Sequence, residues 1–180
     1  FEIVKAAEIM DDFEYPGVRL VLEARLDRMK QRIKIDLSTD DVITPSAIRY
    51  SYRLMFEDRS IELMTYTPET LLAEKIQTIL ARGITTTRMR DYYDVYEIVV
   101  GNKVSIDKEV LAEAFTATCM KRKTIFGSEQ IEKIVNEIST DEGLSNLWDL
   151  YKNDNFYVGD IKWTVVCEAV CAYIRNNISK

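Results

Sequence analysis

The sequence contains no histidine. That absence excludes Ser-His-Asp and Cys-His catalysis, imidazole general-base chemistry and His-containing zinc sites. Cysteine is scarce as well. Cys119, Cys167 and Cys171 are odd in number, too few for a tetrahedral thiolate site and unlike a disulfide framework, so a reducing, cytoplasmic setting is the simpler reading. Three prolines and six glycines exclude collagen-like and low-complexity classes. No run approaches the ~18 apolar residues of a membrane helix, no basic-then-apolar leader opens the sequence, and no membrane partner is expected. Whatever chemistry the chain performs is left to carboxylates, lysine, arginine and hard cations such as Mg²⁺.

What is present is the composition of a folded protein: 180 residues, 47% hydrophobic and 30% charged. A chain of this length makes one ordinary domain, or two small ones, and buries roughly two-thirds of its unfolded surface without a staple. The net charge of −6 gives no basic face for bulk nucleic-acid affinity. Both sides of Thr67 are net acidic, so only short clusters such as Arg82/Arg88/Arg90 and Lys121/Arg122/Lys123 offer local cations, and such runs are more often solvated helix ends. The chain opens at Phe1 on strand-like sequence, which suggests a fragment or a form with residues missing in front.

Hydrophobic periodicity divides the chain near Thr67. Before it, apolar residues alternate with period 2, as in half-buried strands. Val18, Leu20, Leu22, Ala24 and Leu26 share one face, and Ile33, Ile35 and Leu37 alternate with Lys34, Asp36 and Ser38. The polar stretch Asp27 to Gln31 is a hairpin connection. Ile48 to Phe56 and Ile61 to Tyr66 alternate again, and Phe1 to Met10 is a further strand. At Thr67-Pro68-Glu69 the period changes to that of a helix: a capping threonine, a proline for the first helical position, and an acid for the positive helix end. Helices are expected over 68–82, 88–100, 107–121, 128–138, 144–151 and 160–177, with Gly83 closing the first and Gly127, Gly143 and Gly159 punctuating the rest. The fold class is α+β. A mainly antiparallel sheet domain over 1–66 precedes an all-helical domain over 67–180.

Charge falls in unexpected places on three elements. On the helical wheel of 68–82, Lys75 lies between Leu71 and Ile79, inside the apolar arc, where an ammonium must snorkel, pair with a carboxylate or serve a ligand. Glu74 borders the arc as a surface residue. On the next helix, Arg88 and Asp91 lie among Val95, Tyr92 and Ile98, with Asp94 beside them. They are either an internal ion pair tying two helices or part of a site. Lys34 and Asp36 share the polar face of their strand, which alone is ordinary amphipathic chemistry.

In order along the chain, Lys34-Ile-Asp36, then Tyr66-Thr-Pro-Glu69-Thr-Leu-Leu-Ala73-Glu74-Lys75, then Arg88-Met-Arg90-Asp91-Tyr-Tyr-Asp94 resemble the AbiEii/AbiGii-type toxin nucleotidyltransferases. These segments match that family's K-x-D, A-E-K and R-x-[KR]-D-x-x-D motifs, and the likeness is closest over 18–100. The resemblance implies a nucleotidyltransferase-like sheet followed by a helical domain. It also implies transfer of a nucleotide from an NTP with Mg²⁺, often onto tRNA, by the toxin of a toxin–antitoxin or abortive phage-defence pair. Carried over residue by residue, Asp36 would be a metal-site carboxylate and catalytic. Lys75 would bind the triphosphate and act in catalysis, with Lys34 and Arg88 also at the nucleotide. Asp91 would be the catalytic carboxylate, and Glu74 and Asp94 would support it. A cognate antitoxin would be the partner. The family's Gly-Gly-Ser/Thr…D-x-D segment should precede Phe1 and is not within these residues, so the polypeptide as given is expected to be catalytically incomplete. A non-catalytic relative that kept the scaffold as an interaction module is the other reading.

Overall fold

The computed structural model of the chain describes residues 1–10, 16–38, 42–101 and 104–178. It is α+β, with antiparallel strands first and helices after. Two compact units divide the chain, Phe1–Asp41 and Val42–Lys180. The change of period at Thr67 therefore falls within the second unit, which holds the last two strands as well as the helices.

The first unit is a three-stranded meander of β1 (Glu2–Met10), β2 (Pro16–Leu26) and β3 (Met29–Leu37), with β2 in the centre. The expected connection over Asp27 to Gln31 is tighter than the polar sequence implies. Leu26 pairs directly with Met29, and Asp27 takes a φ of +52°, a conformation that aspartate tolerates better than branched residues do. The register puts Leu20 opposite Ile35 and Leu22 opposite Ile33, while Arg19 faces Asp36 and Val21 faces Lys34. Alternation thus sorts the strands into an apolar and a mostly charged face.

The second unit opens with the hairpin β4 (Ile48–Arg53) and β5 (Ser60–Thr65). The alternation read through Phe56 ends three residues early. Met55 and Phe56 stand out in the turn, 81% and 92% exposed, while Leu54 N–H closes it on Arg59 C=O.

Helix α1 (Pro68–Arg82) begins and ends where its caps predict: Thr67 Oγ1 accepts from Thr70 N–H, and Gly83 ends it at φ +51°. Helices α2 (Met89–Val100), α3 (Lys108–Lys121), α4 (Ser128–Thr140), α5 (Glu142–Asp154) and α6 (Trp163–Asn177) follow. Gly143 lies inside the first turn of α5 rather than before it, because Asp141 supplies the cap by accepting from Leu144 N–H. A 3₁₀ turn over Phe156–Val158 delays α6 to Trp163. The core gathers Leu72, Ile76 and Ile79 of α1, Tyr92 and Val95 of α2, Trp148 of α5 and Trp163, Val166 and Val170 of α6. Tyr92 and Trp163 meet edge to face at 5.1 Å, and Trp148 Nε1 donates to Ile161 C=O. Burying each aliphatic side chain of this set stabilises the fold by about 1.5–3 kcal/mol.

Candidate active site on the first two helices

Helices α1 and α2 pack on each other, and their charged residues meet at one edge of that contact. Lys75 Nζ lies 2.6 Å from Asp94 Oδ2 and 3.2 Å from Asp91 Oδ1. Arg88 Nε donates to the other oxygen of Asp91 at 2.9 Å, and Arg90 Nε stands 3.8 Å from Asp94 Oδ2. The result is an alternating series, Arg88–Asp91–Lys75–Asp94–Arg90, that joins the two helices through one lysine.

Local structure explains each position. Thr86, buried, accepts from Arg88 N–H through Oγ1, and α2 itself begins without a side-chain cap. Arg88 itself precedes the helix, at φ −94° and ψ 64°. A residue outside the helix does not follow its wheel, and for that reason Arg88 is half-exposed rather than core-facing. Asp91 sits in the first turn of α2, where the positive helix end favours an anion. Its side chain is 7% exposed. Burying a carboxylate costs several kcal/mol unless it is paired and hydrogen-bonded, and here each oxygen has a cation.

Lys75 lies at the margin of the buried arc, not within it. Leu71, one of the residues thought to enclose it, is 37% exposed. The buried face of α1 instead runs through Glu69, Leu72, Ala73, Ile76, Gln77, Ile79 and Leu80. The wheel drawn from apolar residues alone omitted Glu69 and Gln77, which are buried because each has a partner. Glu69 Oε1 accepts from Asp107 N–H at the start of α3, and Gln77 accepts from Arg122 at 2.6 Å. The same Arg122 nitrogen, Nη1, reaches Thr78 Oγ1 and the Glu74 carbonyl. Arg122 therefore fixes α1 against the end of α3, and one member of the Lys121/Arg122/Lys123 run is a structural clamp. Its sequence signal was only the charge run, which did not suggest a structural part. Glu74 is half-buried at the other margin of the arc.

Lys34 and Asp36 belong to the first unit, where they occupy the charged face of β3. Asp36 receives Arg19 Nε at 2.6 Å and Arg19 Nη2 at 2.7 Å, a two-pronged pairing suited to guanidinium and carboxylate. These hydrogen bonds, and then the nearby positive charges of Arg19 and Lys34, hold the Asp36 carboxyl below its ordinary range. Lys34 is exposed opposite Val21. Of the residues singled out by sequence, the structure thus joins Lys75, Arg88, Asp91 and Asp94 within the second unit, and gives Asp36 a partner, Arg19, within the first.

Chemically, the second-unit cluster offers a carboxylate held between two cations, with Arg88 and Arg90 turned toward solvent, 47% and 76% exposed. That arrangement can meet an anionic group and present a fixed carboxylate beside it. Among the described residues no group of three or more His, Cys, Asp or Glu side chains is placed to hold a metal ion, so these carboxylates alone do not form a metal centre. No described helix is long and apolar enough to cross a membrane, and Cys119, Cys167 and Cys171 are free thiols in the interior.

No curated protein and no solved structure matches the chain significantly. A family model described as nucleotidyl transferase AbiEii toxin, type IV toxin–antitoxin system, matches residues 1–170. With nearly the whole chain matched, and the A-E-K and R-x-R-D-x-x-D segments meeting at one helix pair, the chain belongs to the AbiEii family of nucleotidyl transferase toxins.

Proposed function

We propose that the AbiEii-family gene product to which this chain belongs transfers a nucleotide from an NTP, carried as its Mg²⁺ complex, onto tRNA, as the toxin opposed by a cognate antitoxin in a toxin–antitoxin or phage-defence system. The observation that carries this reading is the lysine bridge. Lys75 is held by two carboxylates of the neighbouring helix, at an edge where two arginines reach solvent. Nucleotidyl transfer needs cations to meet phosphate charge and a fixed carboxylate at the reacting hydroxyl, and it needs no histidine.

In this reading Asp91 is the catalytic carboxylate, positioned by Lys75 and Arg88. Lys75, Arg88 and Lys34 meet the triphosphate, Lys75 exchanging Asp94 for a phosphate oxygen. Asp94 and Glu74 support them, and the single carboxylate of Asp36 serves both the metal and catalysis. Mg²⁺ commonly enters such sites on substrate phosphates with only one or two protein carboxylates, and on binding it neutralises phosphate charge. Residues 1–66 would form part of the nucleotidyltransferase sheet domain and 67–180 the helical domain.

A second reading rests on a specific observation too. Both oxygens of Asp91 are engaged by cations, as expected of a structural ion pair in a non-catalytic module. Incubating the whole gene product with each labelled NTP, Mg²⁺ and total tRNA separates the two. Labelled tRNA supports transfer, and its absence with all four NTPs supports the binding module.

A further inference from the structure

Beside the ion series lies a cluster of aromatic rings that the transfer chemistry does not use. Arg90 lies three positions before Tyr93 and four before Asp94, so on α2 it neighbours both. Its ring centroid is 5.4 Å from that of Tyr157 and 6.4 Å from that of Tyr151 on α5. The Tyr151 and Tyr157 hydroxyls are 2.9 Å apart, and Tyr93 O–H donates to the Tyr157 carbonyl at 3.4 Å. Tyr151 packs behind on buried Trp148 at 5.6 Å, so the rings rest on the core. The group's outermost member, Phe156, lies against Tyr157 at 6.0 Å and is 95% exposed.

A phenylalanine held almost wholly in water by a short 3₁₀ turn contributes nothing to the core, and with the half-exposed Tyr157 beside it leaves aromatic surface open to a partner. The rings are tied to the charged edge. The Tyr151 hydroxyl lies in the field of Asp94 and Arg90, and Tyr93 in that of Glu97 and Asp94. Burial is the first cause of the upward shift at both phenols, so they remain neutral ring donors at physiological pH. An aromatic platform next to an exposed arginine suits an unpaired nucleobase and its phosphate, because every base offers a π-face and guanidinium both stacks and pairs with phosphate. Glu97 and Asp94 oppose long runs of phosphate, and the net charge of −6 does the same. Recognition here must come from stacking at a few nucleotides and not from bulk charge.

We propose that Phe156, held edge-on against Tyr157 in this ring cluster, forms a stacking shelf for an unpaired base of the acceptor RNA. The proposal rests on the transfer reading for the identity of the acceptor, but it is a statement about binding. Fluorescein-labelled unpaired RNA of about 12 nucleotides is titrated into the whole gene product without NTP, with inorganic polyphosphate and a fully paired RNA hairpin as competitors. Phe156→Ala, which touches no core, should weaken binding by about five- to a hundredfold, the range of one lost base stack. Phe156→Trp should restore it, and polyphosphate should compete poorly. Three results would each overturn the shelf: no binding by the unaltered protein, equal binding by Phe156→Ala, or a Phe156→Ala effect on self-association with RNA affinity unchanged. RNA binding that depends on Phe156 in a protein that labels no tRNA would leave the shelf standing and remove the transfer reading. Labelled tRNA with an unchanged RNA KM in Phe156→Ala would do the reverse.

Discussion

Replacing Lys75 with alanine removes a cation that touches both Asp91 and Asp94. The consequences differ for the two carboxylates. Asp91 is 7% exposed and keeps Arg88 at 2.9 Å, so one oxygen remains satisfied and the other is left facing a desolvated space. Leaving such an acceptor unmatched costs about 1–3 kcal/mol. Asp94 is 27% exposed, water can replace the ammonium, and its loss is about 0–1 kcal/mol. Alanine is a better helix former than lysine by only a few tenths of a kcal/mol. The expected net is a destabilisation of about 2 kcal/mol, short of the 3–5 kcal/mol for a fully orphaned buried ion. For a chain of this size that lowers the melting midpoint by about 4–8 °C. The assay is thermal melting followed by helical circular dichroism, beside growth arrest on expression in cells. The variant should lose toxicity while remaining folded at growth temperature. An unchanged midpoint would refute the bridge as a structural link, and a variant that melts early but still arrests growth would remove Lys75 from the functional site.

Other consequences can be tested separately. Arg122→Ala strips Gln77 of its 2.6 Å partner and should cost about 1–3 kcal/mol in urea unfolding. Gly83→Ala meets only ordinary contact with Ile134 at 3.9 Å but keeps φ at +51° and ψ at −133°, so backbone strain alone should destabilise by about 1–3 kcal/mol, read from the same unfolding curves. The Asp36 carboxyl, held down by Arg19, should titrate below the ordinary aspartate range in carbon NMR and return to it in Arg19→Ala. Because the folded value is the lower one, whatever stability the pair gives is present above the ordinary aspartate pKa of about 3.9 and is lost as pH falls through the folded value.

Much of this architecture is legible in the sequence. Period-2 alternation located the strands, and Thr67-Pro68 and Gly83 fixed α1 to its observed ends because capping is local chemistry. The clustering of Lys75 with Asp91 and Asp94 was foreshadowed by charge beside apolar faces. What periodicity could not supply was the effect of polar partners. Glu69 and Gln77 are buried through Asp107 and Arg122, contacts 38 and 45 positions away, and they rotate the covered face of α1 so that Leu71 meets water. Arg88 was assigned a helical direction although it stands before the helix. Lys75 is nearer to Asp94 than to Asp91, a preference set by side-chain reach across the helix pair. The division after Asp41 leaves no mark in hydrophobic period, since strands lie on both sides of it.

The central claim is that Asp91, fixed between Lys75 and Arg88, serves nucleotidyl transfer. Its most direct test is the rate of NTP-dependent tRNA labelling by Asp91→Asn in the whole gene product, with melting measured on the same preparation. Asparagine keeps the size and one acceptor but removes the charge. Transfer should fall by roughly a hundredfold or more, the scale expected when a positioned catalytic group is lost, in a protein that still unfolds cooperatively above assay temperature. Labelling within a few-fold of the unaltered protein would contradict the assignment and leave Asp91 as an ion pair that holds two helices together.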